Sequence, residues 1–282
     1  MKKWFRKNQN EGHYQPIIQE DPEEIKLQRE AELAEEERRR KKLETLLSPT
    51  QQAVEAIETT SSSEASKATG FQKKDPFAGA KFCSKDIFSR LVHAAEDKEH
   101  RVNCMTLLLF ASGLAGYACQ ATLWEKQKEQ EESLFLKVQE ENKKTYLYDE
   151  ALNSYLLEGK GSLWYLTSRV FQKRHPELSC PNIAEIDNHV MDNIGKENYS
   201  IFDISNPEQY IHHYHLMWNH EKEFIEKGCH SCNEWPMVYF MVLQYALQFS
   251  DEAINPVDAL KFSMENAIFA ARPDQSELND IH

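Results

Sequence analysis

The 282 residues contain no glycine-rich phosphate loop, no nucleophile elbow and no zinc-protease helix motif. Those gaps remove the nucleotide-binding, serine-hydrolase and metalloprotease classes that such motifs mark. Also missing is the apolar stretch that must follow a basic secretory start, because MKKWFRKNQNEGHYQPII turns polar at once, and export by that route is not expected. Positive charge is in deficit: 33 Lys and Arg face 46 Asp and Glu, a net charge of -13 with pI near 5.4. With little to offset phosphate repulsion outside short basic runs, no nucleic-acid partner is expected. There is no internal repeat. The six cysteines, Cys83, Cys104, Cys119, Cys180, Cys229 and Cys232, are mostly scattered, and several sit in apolar or helical contexts, as suits reduced thiols in a cytoplasmic protein.

Long apolar runs are few, and one stands out. Residues 104–124, CMTLLLFASGLAGYACQATLW, carry no charge in a chain otherwise crowded with Lys, Glu and Asp. About 20 apolar residues suffice to cross a bilayer, so membrane association through 104–124 is one reading. Ser112, Gly113, Gly116, Gln120 and Thr122 dilute the run, however, and a spanning helix should be richer in Leu, Ile, Val and Phe. The preferred reading is the buried central helix of a folded domain. Ala111, Ala115 and Ala118, and beside them Ser112, Gly116 and Cys119, make two stripes without bulk, where neighbouring backbones can approach closely.

Before this helix lies a charged arm, residues 1–76. Trp4 and Phe5 stand among Lys2, Lys3, Arg6 and Lys7 in a start read as a solvated basic cluster, with contact to anionic lipid as the other possibility. Asp21-Pro22 signals a helix start, and Glu35, Glu36 and Glu37 precede Arg39, Arg40 and Lys41 by four residues each, the order that pairs charges along a helix. A helix over 22–47 is predicted, too polar for a core but able to meet a protein partner, in coiled-coil fashion or otherwise. Ser48-Pro49 starts a further short helix over 51–58, and residues 59–76 read as a disordered linker.

The fold class expected for residues 77–274 is mostly α, one helical domain around the apolar helix with a small β-hairpin on its flank; 275–282 read as a flexible tail. Ser84 is placed as the cap of a first helix, and the central helix is started at Lys98 after a break near Asp97. Alternation in 134–138 and β-formers in 145–148 predict the hairpin. Helices are then opened by Asp149, Ser162, Pro181 and Asn206-Pro207. A second apolar helix covers 233–250, and an amphipathic one runs from Pro256 to the stop at Arg272-Pro273.

Candidate chemistry is thin. Cys229 and Cys232 have the spacing of a metal-binding or dithiol pair, and the preceding helix supplies histidines. His213 and His220 share a face but stand about 10 Å apart along the axis. His212 and His215, three apart, can co-ligate. Zinc held by Cys229, Cys232, His212 and His215, or thiol chemistry at the cysteines, is therefore one function class. A turn with two inert thiols is the plainer account. Cys119-Gln120 with His93 or His189 as base is weaker still. Tyr146, Tyr148, Asp149 and Asn153 form either a polar rim over a ligand or ordinary strand and cap residues.

The segments GLAGYACQ, YLYDEALNSYLL, SLWYL and WPMVYFMVLQYAL together resemble a family of bacterial proteins of unknown function, over roughly residues 84–274. These are packing motifs, and the resemblance implies one folded cytoplasmic domain without an activity. The leading function from sequence is a non-enzymatic protein-interaction or small-ligand-binding protein.

Overall fold

The computed structural model describes residues 4–7, 14–17, 75, 77–128, 135–196, 199–201 and 204–280. The chain divides into two units, Met1–Thr45 and Leu46–His282. In the first, β1 (Trp4–Lys7) and β2 (Tyr14–Ile17) pair antiparallel, with Trp4 opposite Ile17 and Lys7 opposite Tyr14. That pairing was not anticipated from the basic start. The helix predicted over 22–47, the short one over 51–58 and, apart from Asp75, the linker over 59–76 lie outside the described residues.

The second unit is mostly helical with a small hairpin, as the pattern of apolar residues predicts, and it carries one further short antiparallel pair, residues 200–201 with 204–205, that was not anticipated. Its elements are α1 (Ala78–Ala94), α2 (Cys104–Gln127), β3 (Lys137–Gln139), β4 (Thr145–Leu147), α3 (Glu150–Leu156), α4 (Leu163–Arg174), α5 (Ile183–Asn193), β5 (Ser200–Ile201), β6 (Ile204–Ser205), α6 (Ile211–Gly228), α7 (Trp235–Ser250) and α8 (Pro256–Ala270). Between Leu107 and Leu123 every residue of α2 except Phe110 is buried. Helices α7, α8, α6, α3 and α1 all pack on it. Among the described residues α2 is the one helix long and apolar enough to cross a membrane, and 78% of its most apolar stretch is covered by the protein itself. That burial agrees with the preferred reading of 104–124 as the central helix of a folded domain.

The small-residue stripes do what their size allows. A Cβ on Gly116 would fall 1.9 Å from the Ala267 carbonyl oxygen of α8, so the two backbones touch where no side chain intervenes. At the other end of the domain α1 meets the end of α6 in the same way, with Gly79 against the Gly228 carbonyl.

Several boundaries differ from those read in the sequence. Helix α1 starts at Ala78, not at Ser84; Asp75 Oδ1 accepts from the Phe77 amide at 2.9 Å, and Ser84 lies inside the helix, its hydroxyl donating to the Lys81 carbonyl at 3.0 Å. Helix α2 starts at Cys104, not at Lys98, because Asn103 is the residue whose side chain accepts from the Thr106 amide (3.0 Å). The intervening residues fold into a tight turn around Asp97, which accepts from the amides of Glu99 and Arg101. Helix α8, expected to be amphipathic, is buried all round from Phe262 to Ala270. Gln275–Asp280, expected as the start of a loose tail, form a 3-10 helix whose first residue is buried.

The hairpin needs support, since two strands are marginal in water. It finds it in the segment that follows α8: the Leu147 amide donates to the Arg272 carbonyl (2.8 Å), the Asp274 amide to the Thr145 carbonyl (2.9 Å), and Lys137 pairs with the buried Asp274 carboxylate at 2.6 Å.

Candidate ligand-binding cleft

Near the C-terminal end of α2 the helix faces α6 and the start of α7, and all three elements carry aromatic residues there. Tyr117 of α2 lies 5.7 Å from Trp218 of α6, ring centre to ring centre, and Trp218 lies 5.4 Å from Trp235 of α7. The sequence supplies each face: Tyr117 and Trp124 are seven apart, two turns along one face of α2, and Trp218 belongs to the apolar stripe of α6. The rings form the floor of an open cleft of about 550 Å³, with Trp124 as one wall. Trp124 is braced from behind by Phe135 at 4.5 Å and Lys137 at 5.1 Å.

His215 sits in that floor, 7% exposed. Its Nδ1 is 2.7 Å from Tyr117 Oη and its Nε2 is 2.8 Å from Asn219 Nδ2. Burial, and secondarily the nearby His212, lower its pKa, so the ring is neutral at pH 7. Burial likewise raises the Tyr117 hydroxyl above its usual range. With both ring nitrogens occupied, His215 has no lone pair open to a metal or to a substrate proton.

Polar groups ring the mouth: Glu125, Gln127, Lys128, Asn219, Lys222 and Ser276. Glu125 is bridged to Lys128 at 2.8 Å and more loosely to Lys222 at 3.9 Å. Gln127 is the group without a match, its buried Oε1 accepting no hydrogen bond. A buried acceptor left alone costs about 1–3 kcal/mol.

The four residues singled out for zinc are not brought together. His212 and Cys229 are separated by about 25 Å along α6 at 1.5 Å per residue, and His215 is bonded as above. Cys229 turns inward to Cys83, its hydrogen-bonding neighbour, while Cys232 lies in the 3-10 turn Cys232–Glu234. Among the described residues no group of three or more His, Cys, Asp or Glu is placed to hold a metal ion. Burial is the main cause that pushes the Cys229 thiol up to about 12 and raises Cys83 too, which withholds the thiolate that exchange chemistry needs. Cys119 is likewise pushed up to about 12 by burial. Its neighbour Gln120 donates to the Ala271 and Pro273 carbonyls at 2.6 and 2.8 Å, a structural pin.

An alkylation time course tests this reading of the thiols. Iodoacetamide on the native protein should label Cys104, Cys180 and Cys232, which are partly exposed, well before Cys83, Cys119 and Cys229, which are buried. Early labelling of Cys229, followed by mass spectrometry, would contradict it.

The possible tyrosine rim has structural occupations as well. Tyr146 donates to Glu208 (2.6 Å) and Tyr148 to Glu140 (2.8 Å), Asp149 caps α3, and Asn153 accepts from Arg272. Sequence reasoning missed the cleft because Tyr117, Trp124, Trp218 and Trp235 each read as core aromatics. The available signal was their number within the helices expected to pack together. Set against known proteins, the chain matches no family model, no curated protein and no solved structure.

Proposed function

We propose that the protein is a non-enzymatic small-ligand-binding protein whose cleft takes a planar nitrogen heterocycle. The observation that carries this is the pairing of an aromatic floor with one unmatched acceptor, Gln127 Oε1, in a cavity of about 550 Å³. Apolar concave sites with a few placed polar groups are the usual form of small-molecule sites. Stacking on Trp124 and Trp235 favours a flat ring, and Gln127 favours one that bears an N–H. The occupied ring nitrogens of His215 support binding without catalysis. Free thiols suit a reducing cytoplasmic setting.

Three of the five tryptophans line the cleft, so intrinsic fluorescence reads its occupancy. Nicotinamide and adenine should quench it saturably, and cyclohexanecarboxamide, which keeps an amide but is not flat, should bind about tenfold more weakly or worse. Ala121→Trp, which fills the cleft from α2, should abolish binding, and Gln127→Ala should weaken it about five- to tenfold, the worth of one hydrogen bond. Equal binding to Ala121→Trp and parent, or no saturable quenching by either heterocycle, would overturn the proposal.

A further inference from the structure

A second cavity lies between α5, α8 and the short strand β5, and it shares no lining residue with the aromatic cleft. It too measures about 550 Å³, and its polar lining consists of Asn182, Glu185 and His189 from α5, Ser200 from β5, and Lys261 and Glu265 from α8. Glu265 is the anomaly. Its residue is 3% exposed, yet the carboxylate oxygen Oε1 accepts no hydrogen bond. The nearest cation-capable group, His189 Nε2, stands 3.2 Å away without hydrogen-bond alignment, on a ring that is half exposed. Proteins rarely bury a carboxylate without donors, because its desolvation is costly unless it is paired.

We propose that this cavity is a binding site for an organic ammonium ion, with the Glu265 carboxylate as its counter-ion and Glu185 as the second anionic wall. Two carboxylates, Glu185 and Glu265, line the cavity against one lysine, Lys261. The Glu185 carboxylate is held in place by Asn182, whose amide donates to Oε1 at 2.9 Å. An ammonium group brings what the Glu265 carboxylate lacks, N–H donors directed at it, and adds a positive charge beside that of Lys261. Its organic part fits a cavity that also presents Pro181 and Ile186. A metal ion suits the geometry less well, because the potential ligands do not converge.

The electrostatics of the site agree. Burial raises the Glu265 carboxyl to about 7, with Lys261 pulling the other way. The other titratable groups near it are His189 and Glu185 on α5 and the buried Tyr199 that precedes β5, whose ring is 6.1 Å from His189. A cation binds the ionised carboxylate, so its affinity should rise as pH rises through 7. Between pH 6 and pH 8 the ionised fraction of a group titrating at 7 grows about tenfold, and so should the association constant.

The test is isothermal titration calorimetry of the full chain with benzylamine and, as a neutral isostere, benzyl alcohol. Benzylamine should bind at pH 8 and about tenfold more weakly at pH 6, while benzyl alcohol should bind at least tenfold more weakly than benzylamine at pH 8. Glu265→Gln should lose benzylamine binding by tenfold or more. His189→Gln should bind benzylamine with the same pH dependence, which assigns the titration to Glu265. Ala121→Trp, which closes the aromatic cleft, should bind benzylamine as the parent does, so failure of one site does not imply failure of the other. Benzyl alcohol binding as tightly as the amine, or Glu265→Gln binding as the parent does, would overturn the proposal. So would Zn2+ displacing benzylamine at lower concentration than the amine itself requires. If Glu265→Gln does not fold, the amine-to-alcohol ratio and the pH profile of the parent decide alone.

Discussion

Gly116→Ala should destabilise the protein by about 1–2 kcal/mol net, although the same change in an ordinary helix would stabilise it. Helix propensity favours alanine over glycine by about 1 kcal/mol, so any net loss comes from packing. The added Cβ would fall 1.9 Å from the Ala267 carbonyl oxygen and 2.7 Å from its carbon. Those are backbone atoms of α8, which cannot turn aside as a side chain would. The two central helices must separate, and overpacking of this kind costs about 1–3 kcal/mol and sometimes more. Gly113→Ala is the informative companion, because its Cβ meets the ring of Tyr214 at 2.3 Å. That ring is itself buried and bonded to Asn266 at 3.2 Å, so it too resists, but it is a side chain and can move. Urea denaturation should rank the parent first, Gly113→Ala next and Gly116→Ala last. A Gly116→Ala protein as stable as the parent would mean that α2 and α8 do not touch there.

The stripes of small residues on α2 were legible in the sequence; the helix they admit was not. A run of Ala, Gly and Ser states that something comes close, whereas its partner is set by tertiary packing across roughly 150 positions. The reading of α8 failed for a related reason. Glu265 and Asn266 look like solvent-side residues in a pattern of apolar and polar positions, yet both are buried. Asn266 donates to the Leu109 carbonyl and to Ser112 Oγ, both at 2.8 Å. A polar side chain satisfied inside a protein is indistinguishable by composition from one satisfied by water.

The candidate site shows the same boundary. His215 was picked out as a metal ligand from its spacing to His212, and it does line a cavity. Its partner is nevertheless Tyr117, 98 positions away, and no local spacing encodes that pairing. Cys229 was paired by sequence with Cys232, three residues on, while the fold turns it to Cys83. Signals that act within one turn of helix came through well at Asp149 and Ser162, each of which accepts a backbone amide at a helix start. Asn103 does the same but was overlooked, because Lys98 began the charged stretch leading into the apolar run.

Arg272→Ala should be more damaging than Gly116→Ala, by a different route. Read in the sequence as half of a helix stop, Arg272 is 1% exposed, one of the largest fully buried side chains. Its guanidinium donates from Nη2 to Asn153 Oδ1 at 2.8 Å and from Nη1 to the Leu147 carbonyl at 3.4 Å, and Nη2 stands 3.6 Å from Asp187 Oδ1. One side chain thus joins α3, β4 and α5 behind the end of α8. Burial lowers the pKa of Arg272 and raises that of Asp187, each opposed by the charge of the other. The pair therefore offsets the cost of desolvation only in part. Removing one member of a buried pair typically costs about 3–5 kcal/mol, since the partner keeps its desolvation penalty. Arg272→Ala falls in that range because it also empties a large volume. Arg272→Met should recover part of the loss by refilling the space with apolar atoms, as replacement of buried charges by hydrophobic groups often does. Asp187→Asn should cost less, about 1 kcal/mol, because Asp187 is partly exposed and 3.6 Å distant. Denaturant midpoints measured at pH 7 should therefore fall in the order parent, Asp187→Asn, Arg272→Met, Arg272→Ala. If Arg272→Ala lies within 1 kcal/mol of the parent, the guanidinium does not hold these three elements together.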